Sequence, residues 1–208
     1  MIEIKASDKT EKQIKSRDRV RDVAEVFTNK REVNNILDLI KTQALNPKAT
    51  FFEPACGNGN FLVEILNRKL EGLLSSLKSK PNQEKLEFGI INSLSGIYAI
   101  DIMPDNIIEA KTRLYFIIKE FLSNNYNTKK FSDEFWLNIK WILDKNILLG
   151  NTLEEPNNIK FIEYKNPRAN YFNLTEFYLL PKKELDLFNI KTELKKYSPV
   201  HYNSLHKI

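Results

Sequence analysis

The chain has 208 residues, of which 42% are hydrophobic and 28% are charged. This length suits one domain with a sizeable core, since a domain commonly takes roughly 100 to 200 residues, and the composition excludes a disordered chain. The net charge of +5 suits a polyanionic partner such as nucleic acid. Lysine and asparagine are abundant throughout, however, and a bias in the nucleotide composition of the gene explains that abundance equally well.

Cys56 is the only cysteine. An intrachain disulfide and a cysteine metal cluster are therefore excluded, and a reducing, cytoplasmic location is the default expectation. No apolar run approaches the roughly 20 residues of a membrane span. The N-terminal segment MIEIKASDKTEKQIKSRDR lacks the apolar stretch of a secretory signal. We expect no membrane partner.

Residues 1–22 are polar and mixed in charge. We expect an N-terminal polar arm there, either loose or helical, that packs only through Ile14 and Val20. Because the length suits one compact α/β unit, a single domain is predicted over 23–208.

The first helix of this domain is predicted over 30–41, where apolar residues recur at helical spacing and Asn29 and Glu32 stand in the relation of a capping box. The segment 49–57, ATFFEPACG, predicts a short buried strand that ends in a turn. The amphipathic stretch 60–78 predicts the next helix.

A polar stretch over 78–87 interrupts the pattern before 95–102, SGIYAIDI, which predicts a second strand. A helix follows over 104–122, and its first residue is a proline, which costs no hydrogen bond in a first helical turn. A polar linker over 123–134 then leads to a predicted helix over 135–145.

The third apolar run covers 146–153, NILLGNTL. Aromatic and β-branched residues favour further strands over 159–164 and 170–180, with a turn at 165–170, KNPRAN, between them. A short helix is expected over 185–196. Because strands alternate with helices along most of the chain, we predict an α/β fold with a mainly parallel sheet and with ligand sites at the carboxyl ends of its strands.

Three motifs lie at such strand ends. The glycine pair of CGNG lets the main chain approach a ligand closely, and the free amides of the following helix attract a carboxylate or phosphate; a turn packed for its own sake explains the pair as well. Asp101 ends the second strand, where it suits either the ribose hydroxyls of an adenosine or a helix cap. Asn151, in GNTL, has a side-chain amide that suits an adenine edge.

The segments VFTNKREV, FFEPACGNGNFL, YAIDI and GNTL, in this order, resemble the S-adenosylmethionine-dependent DNA methyltransferases of restriction-modification systems that act on the exocyclic amine of adenine. The resemblance covers 17–155, and FFEPACGNGNFL is its most specific part. It implies a Rossmann-like class I methyltransferase fold with a mainly parallel central sheet and helices on both faces. It also implies S-adenosyl-L-methionine as cofactor and double-stranded DNA as partner.

Carried over residue by residue, the resemblance assigns the methionine end of the cofactor to Thr28 with its neighbour Phe27, and it makes Phe61 a wall of the pocket. Asp101 would take the ribose hydroxyls, Ile102 would pack on adenine and Asn151 would read the adenine edge. The residues that would hold the amino and carboxylate groups follow one another at the first strand end: Glu53, Pro54, Ala55, Cys56, Gly57 and Gly59.

The family carries an Asn/Asp-Pro-Pro-aromatic tetrapeptide after the fourth strand, whose amide accepts hydrogen bonds from the target amine and whose ring stacks on the flipped base. The nearest match here is Asn166-Pro167-Arg168-Ala169, so Asn166 and Pro167 are the catalytic candidates. A hairpin turn is the stronger interpretation of KNPRAN. Ser198-Pro199-Val200-His201 is a second, more distant match.

The cofactor-binding part leaves little of the chain for reading DNA sequence. A specificity subunit or a second catalytic subunit is therefore expected as a partner. The leading hypothesis is a DNA adenine methyltransferase, either a compact enzyme with a divergent catalytic loop or one subunit of a split modification system. The alternatives are a non-catalytic S-adenosylmethionine-binding or scaffold module in such a complex, and an RNA or protein methyltransferase.

Overall fold

The structure is a computed structural model that describes residues 14–23, 26–77, 82–126, 131–154, 158–179 and 191–208. Its helices are α1 (Arg17–Val23), α2 (Lys30–Leu39), α3 (Lys41–Ala44), α4 (Asn60–Ser76), α5 (Gln83–Ser95), α6 (Pro104–Asn125), α7 (Asp133–Asn146) and a C-terminal 3₁₀ helix (Tyr202–Lys207). Its strands are β1 (Phe51–Glu53), β2 (Ile97–Asp101), β3 (Ile147–Leu149), β4 (Lys160–Arg168), β5 (Tyr171–Leu179), β6 (Lys191–Lys196) and β7 (Val200–His201).

Strands β1, β2 and β3 form a parallel sheet in that order. Helices α4 and α5 connect the first two strands, and α6 and α7 connect β2 to β3, so the predicted strand–helix alternation is confirmed in this part. The sequence prediction missed α5. It begins within the stretch expected to interrupt the pattern, where the side chain of Asn82 accepts a hydrogen bond from the N–H of Lys85 and so caps the helix.

The second sheet is antiparallel. Strand β4 pairs with β5, and β5 pairs in turn with β6 and β7. The expectation of one mainly parallel sheet is therefore wrong for the C-terminal part. The short turn at Ala169 and Asn170 explains the difference: it joins neighbouring strands directly and leaves no room for the crossover that parallel strands need. Asn170 has a positive φ of 66°, which asparagine tolerates.

The two sheets pack against each other through one face of β2. Tyr98 and Ile100 on that face contact Ile159 and Phe161, while Ile97 and Ala99 on the other face belong to the core built with the helices. The prediction of helices on both faces is therefore wrong for the face that carries Tyr98, because the β4–β5 hairpin covers it. The coarser description, an α/β chain, holds.

One prediction outside the sheets also changes. The helix expected over 185–196 is wrong where the structure describes it, because β6 pairs with β5 and satisfies its main chain there; the remainder, 185–190, lies outside the described residues. The predicted arm boundary at residue 22 falls inside α1. Lys15 and Arg19 anchor this segment to Asp105 on α6, at 2.9 and 2.6 Å.

Replacing Tyr202 by Phe is expected to lower the free energy of unfolding by about 1–3 kcal/mol, because the buried Glu87 carboxylate loses a donor. The Tyr202 hydroxyl donates to Glu87 Oε2 at 2.8 Å, and Gln83 Nε2 donates to the other oxygen at 2.7 Å. Urea unfolding measures the difference. Tyr171→Phe, at a partly exposed ring on β5, serves as the control, and equal stability of the two variants would contradict this role for the Glu87 contact.

Candidate functional site

The turn after β1 reaches across to the end of β2. The Cys56 N–H donates to the carbonyl of Ile100 at 2.9 Å, and the Gly57 N–H donates to Asp101 Oδ2 at 2.8 Å. The glycine turn and the strand-end carboxylate are therefore joined directly. Parallel strands bring their carboxyl ends to one edge, which explains why residues more than 40 positions apart meet there.

Both turn residues require glycine. Gly57 and Gly59 have positive φ angles of 53° and 87°, a conformation that costs other residues about 1–2 kcal/mol. A Cβ atom would also lie 3.0 Å from the ring of Phe27 at Gly57, and 3.0 Å from Cβ of Ala110 at Gly59. The second contact lets α4 begin close against α6.

Asp101 caps a helix, which is one of the two roles considered for it. Its Oδ1 accepts hydrogen bonds from the N–H of Met103 at 2.8 Å and from Nδ2 of Asn106 at 3.1 Å, so it caps the start of α6. Its Oδ2 holds Gly57. A carboxylate offers about four acceptor positions. The carboxylate thus keeps acceptor capacity for a ligand hydroxyl while it fixes the glycine turn.

A cavity of about 90 Å³ lies beside this turn. Its volume is well below the roughly 300–1,000 Å³ of a site that encloses a drug-sized ligand, and suits an amino-acid-sized group. The predicted cofactor residues that line it are Phe27, Thr28, Glu53, Ala55, Cys56, Gly57 and Phe61; the other lining residues are Val26, Asn58 and Asn60. Pro54 is exposed in the turn itself.

Burial shapes the acid–base chemistry of this cavity. It raises the pKa of the Glu53 carboxyl, against a hydrogen bond from the Ala55 N–H that lowers it. It also raises the pKa of the Cys56 thiol to about 12, with further contributions from Asp101 and Glu53. The thiol is therefore neutral at physiological pH and is not a nucleophile.

The loop after β3 joins the same edge. The Gly150 N–H donates to the Asp101 carbonyl at 3.0 Å, and the Thr152 hydroxyl lies 3.5 Å from the Pro54 carbonyl. Asn151 Oδ1 accepts from the main-chain N–H of residues 153 and 154, so only its NH₂ group is available as a donor to a ligand. Ile102, 46% exposed, follows Asp101 at this edge and offers an apolar surface.

Asn166 and Pro167 are not brought to this site. They lie in β4, where Asn166 Nδ2 donates to Asn92 Oδ1 at 2.6 Å. Asn166 lines a different cavity, of about 530 Å³, together with Lys48 and Gly96, which precede β1 and β2. This cavity is at the amino ends of the parallel strands, opposite the glycine turn. The hairpin interpretation of KNPRAN is confirmed.

The more distant match also lies elsewhere. Val200 and His201 form β7, which pairs with Phe172 and Tyr171 of β5. Neither candidate tetrapeptide therefore contacts the cavity beside the glycine turn.

Sequence reasoning missed several polar residues of the site. Asn60 Nδ2 donates to the Thr28 carbonyl at 2.8 Å, which fixes the segment before α2 against the turn. Arg113 donates to Asn60 Oδ1 and to the Asn58 carbonyl, and Asn58 Nδ2 donates to Glu109 Oε1. The asparagines were visible as the neighbours of the glycines in GNGN. Glu109 and Arg113, on α6, are not part of a local sequence pattern that indicates a binding site.

Replacing Gly57 by Ala is expected to destabilise the fold by about 1–2 kcal/mol, because of the left-handed backbone conformation, and to displace the Phe27 ring. Gly57→Asn separates the two effects, since asparagine tolerates this conformation but still carries a Cβ. Urea unfolding is expected to give the highest free energy of unfolding for the wild type, a lower value for Gly57→Asn and the lowest value for Gly57→Ala. Equal stability of all three would show that φ at residue 57 is not positive in solution.

Among the residues that the structure describes, no three His, Cys, Asp or Glu side chains gather as a metal site. None of the described helices is both long enough and apolar enough to cross a membrane. Comparisons of the chain with protein-family models, with curated proteins and with solved structures gave no match.

Proposed function

We propose that the chain binds S-adenosyl-L-methionine at the carboxyl edge of the parallel sheet and belongs to a DNA adenine methyltransferase in which the three parallel strands β1, β2 and β3 are the Rossmann-like class I part. The observation that carries the proposal is the hydrogen bond from the Gly57 N–H to Asp101 Oδ2 at 2.8 Å. It joins a turn suited to an amino acid moiety with a carboxylate suited to ribose hydroxyls.

The cavity residues fit the methionine end of the cofactor. Glu53 would accept hydrogen bonds from the ammonium group, and the positive charge would favour the ionised carboxylate against the effect of burial. Main-chain amides at the start of α4 would bind the carboxylate, since Gly59 caps that helix without a side-chain hydrogen bond. Phe27 and Phe61 would exclude water from the aliphatic part.

The adenosine end would lie along the strand ends. Asp101 would use its remaining acceptor position for a ribose hydroxyl. Ile102 would pack on the adenine ring, and the NH₂ group of Asn151 would donate to an acceptor on its edge. The bound cofactor supplies the methyl group, while these residues hold and orient it.

Methyl transfer to adenine also needs acceptors that hold the target amine in line with the sulfonium methyl. Asn166 lies at the opposite end of β1 and β2 and is bonded to Asn92, so this site does not include it. We propose that these acceptors, and the side chains that read double-stranded DNA, come from a specificity subunit or a second catalytic subunit of a restriction-modification system.

Asn166 does not line the cavity beside the glycine turn, and this position also favours a second function. A non-catalytic module that binds S-adenosylmethionine, as a sensor or scaffold in such a complex, needs the site around Gly57 and Asp101 but no catalytic amide. This alternative predicts binding of the cofactor without any transfer.

Transfer of labelled methyl groups from S-adenosylmethionine tests the proposal. The chain, alone and with its co-purifying proteins, is incubated with double-stranded DNA, and with RNA and protein as separate acceptors. We expect labelled N6-methyladenine in DNA only when the co-purifying proteins are present. Label in RNA or protein would favour those substrates, and cofactor binding without label in any acceptor would favour the non-catalytic module.

A further inference from the structure

The ammonium group of Lys15, which lies just before α1, reaches three acceptors in the first turns of α6. Its Nζ lies 2.9 Å from Asp105 Oδ2, 2.8 Å from Asn106 Oδ1 and 2.8 Å from Glu109 Oε2. A lysine ammonium has three N–H donors, so each of them can have one acceptor here. The Lys15 side chain is 26% exposed, and salt screens such partly buried charges less than surface charges. The N-terminal segment is therefore held at a defined position on α6.

The contact with Asn106 orients a partner of Asp101. Asn106 Oδ1 accepts from Lys15, and Asn106 Nδ2 donates to Asp101 Oδ1 at 3.1 Å. Because the amide oxygen of Asn106 is bonded to the ammonium, its NH₂ group faces the carboxylate. Lys15 thus acts, through Asn106, on the carboxylate that also holds the Gly57 N–H.

The contact with Glu109 leads to the glycine turn. Glu109 Oε2 pairs with Lys15 at 2.8 Å, and Glu109 Oε1 accepts a hydrogen bond from Nδ2 of Asn58 at 2.9 Å. Asn58 stands between Gly57 and Gly59 and lines the cavity beside the turn. One carboxylate therefore connects the N-terminal segment with the turn that precedes α4.

The same ammonium lies beside a wall of the cavity. Lys15 Nζ is 5.8 Å from the centre of the Phe27 ring, within the roughly 6 Å of a cation–π contact. Phe27 is buried and lines the cavity. Lys15 is therefore connected to the site in three ways, through the partner of Asp101, through the glycine turn and through this ring.

We propose that Lys15 is a positioning residue for cofactor binding, and that docking of the N-terminal segment and occupation of the site reinforce each other. The inference rests on the proposed function, since it requires that the cavity beside the glycine turn binds S-adenosylmethionine. Lys15 is not among the residues that line this cavity, and it acts through Asn106, Glu109 and Phe27. Because coupling between two binding events is reciprocal, the docked segment raises the affinity for the cofactor by the factor by which the cofactor favours docking.

Calorimetric titration of S-adenosylmethionine into folded variants tests the positioning role. We expect Lys15→Met to weaken binding about 5-fold or more, as is usual for coupled sites. Lys15→Arg is expected to restore most of the affinity, because a guanidinium also donates to several acceptors. Lys111→Met is the matched control and is expected to bind as the wild type does, since Lys111 on α6 has the same 26% exposure and pairs with Asp144 at 2.7 Å.

Amide hydrogen exchange in α1 tests the reciprocal effect, which a residue that only stabilised the fold would not show. We expect saturating S-adenosylmethionine to slow exchange of the α1 amides about 5-fold or more in the wild type, and to have a smaller effect in Lys15→Met. The amides of β5, in the antiparallel sheet, are the internal control. The wild-type measurement stands by itself, so it decides the question even if Lys15→Met does not fold.

The possible outcomes separate this inference from the proposed function. A folded wild-type chain that binds no S-adenosylmethionine would overturn both. Three results would overturn the positioning role alone, provided that the wild type binds the cofactor. They are an affinity of Lys15→Met equal to that of the wild type or of Lys111→Met, a loss in Lys15→Arg as large as in Lys15→Met, and α1 exchange that the cofactor does not change.

Discussion

Asp101→Asn is expected to weaken S-adenosylmethionine binding by about 1–3 kcal/mol, or roughly 5- to 150-fold, because a carboxylate that accepts charge-assisted hydrogen bonds becomes a neutral amide. The substitution also affects the turn, since one of the two terminal atoms must then present a donor. An NH₂ group in place of Oδ2 would oppose the Gly57 N–H, which now lies 2.8 Å from that oxygen. A less ordered turn would weaken the methionine end of the site as well.

Asn106→Ala separates the loss of the Asp101 charge from the loss of a hydrogen bond that positions the Asp101 carboxylate. It removes one donor to Asp101 Oδ1 and leaves the carboxylate and the Met103 contact in place. We expect it to weaken binding by less than Asp101→Asn does. Calorimetric titration of S-adenosylmethionine into each folded variant measures both effects. Unchanged affinity in Asp101→Asn would remove Asp101 from the site.

Lys69 is expected to make the free energy of unfolding of the wild type change by about 1.4 kcal/mol per pH unit. Lys69→Met is expected to remove this contribution. Lys69 is fully buried in α4, and its only hydrogen bond in the described structure goes to the Ala49 carbonyl at 2.6 Å. Burial lowers the pKa of the Lys69 ammonium from 10.5 to about 7. The folded state thus disfavours a charge that the unfolded state carries without cost.

The sign follows from the protons bound in each state. Between pH 7 and 10.5 the unfolded chain holds the Lys69 proton and the folded chain does not, so the free energy of unfolding rises with pH across this window. Urea unfolding at about pH 7.5 and about pH 9.0 is expected to show the rise in the wild type and a smaller rise in Lys69→Met. Lys85→Met, at an exposed position, is the control. Equal slopes in all three proteins would show that Lys69 is charged in the folded state.

The meeting of the CGNG, YAIDI and GNTL motifs at the carboxyl ends of the parallel strands was predictable from the sequence. Gly57, Asp101 and Asn151 each follow an apolar run, and parallel strands align their carboxyl ends. The periodicity of α4 also held a signal for Lys69, which lies four residues after Ile65 and three after Leu66 on the buried side of the helix. Helical spacing alone marks that position as core, whatever residue occupies it.

The arrangement of the C-terminal strands was not predictable in the same way. The aromatic and β-branched residues over 159–180 indicate strands, but their pattern does not say which sheet they join. Phe161 packs on β2, whereas Ile162 next to it packs in the main core, so the hairpin is apolar on both faces. Because both faces of the hairpin are buried, its strands lack the alternation of apolar and polar residues that would have marked them as antiparallel. The contact between Asn166 and Asn92 depends on this packing and on α5, which the sequence prediction lacked.

Calorimetric titration of S-adenosylmethionine into the wild-type chain tests whether the site around Gly57 and Asp101 binds the cofactor. We expect one cofactor to bind per chain, with weaker binding in Asp101→Asn and wild-type binding in Lys85→Met. A folded wild-type chain that takes up no S-adenosylmethionine, or one whose affinity is the same in Asp101→Asn, would contradict it.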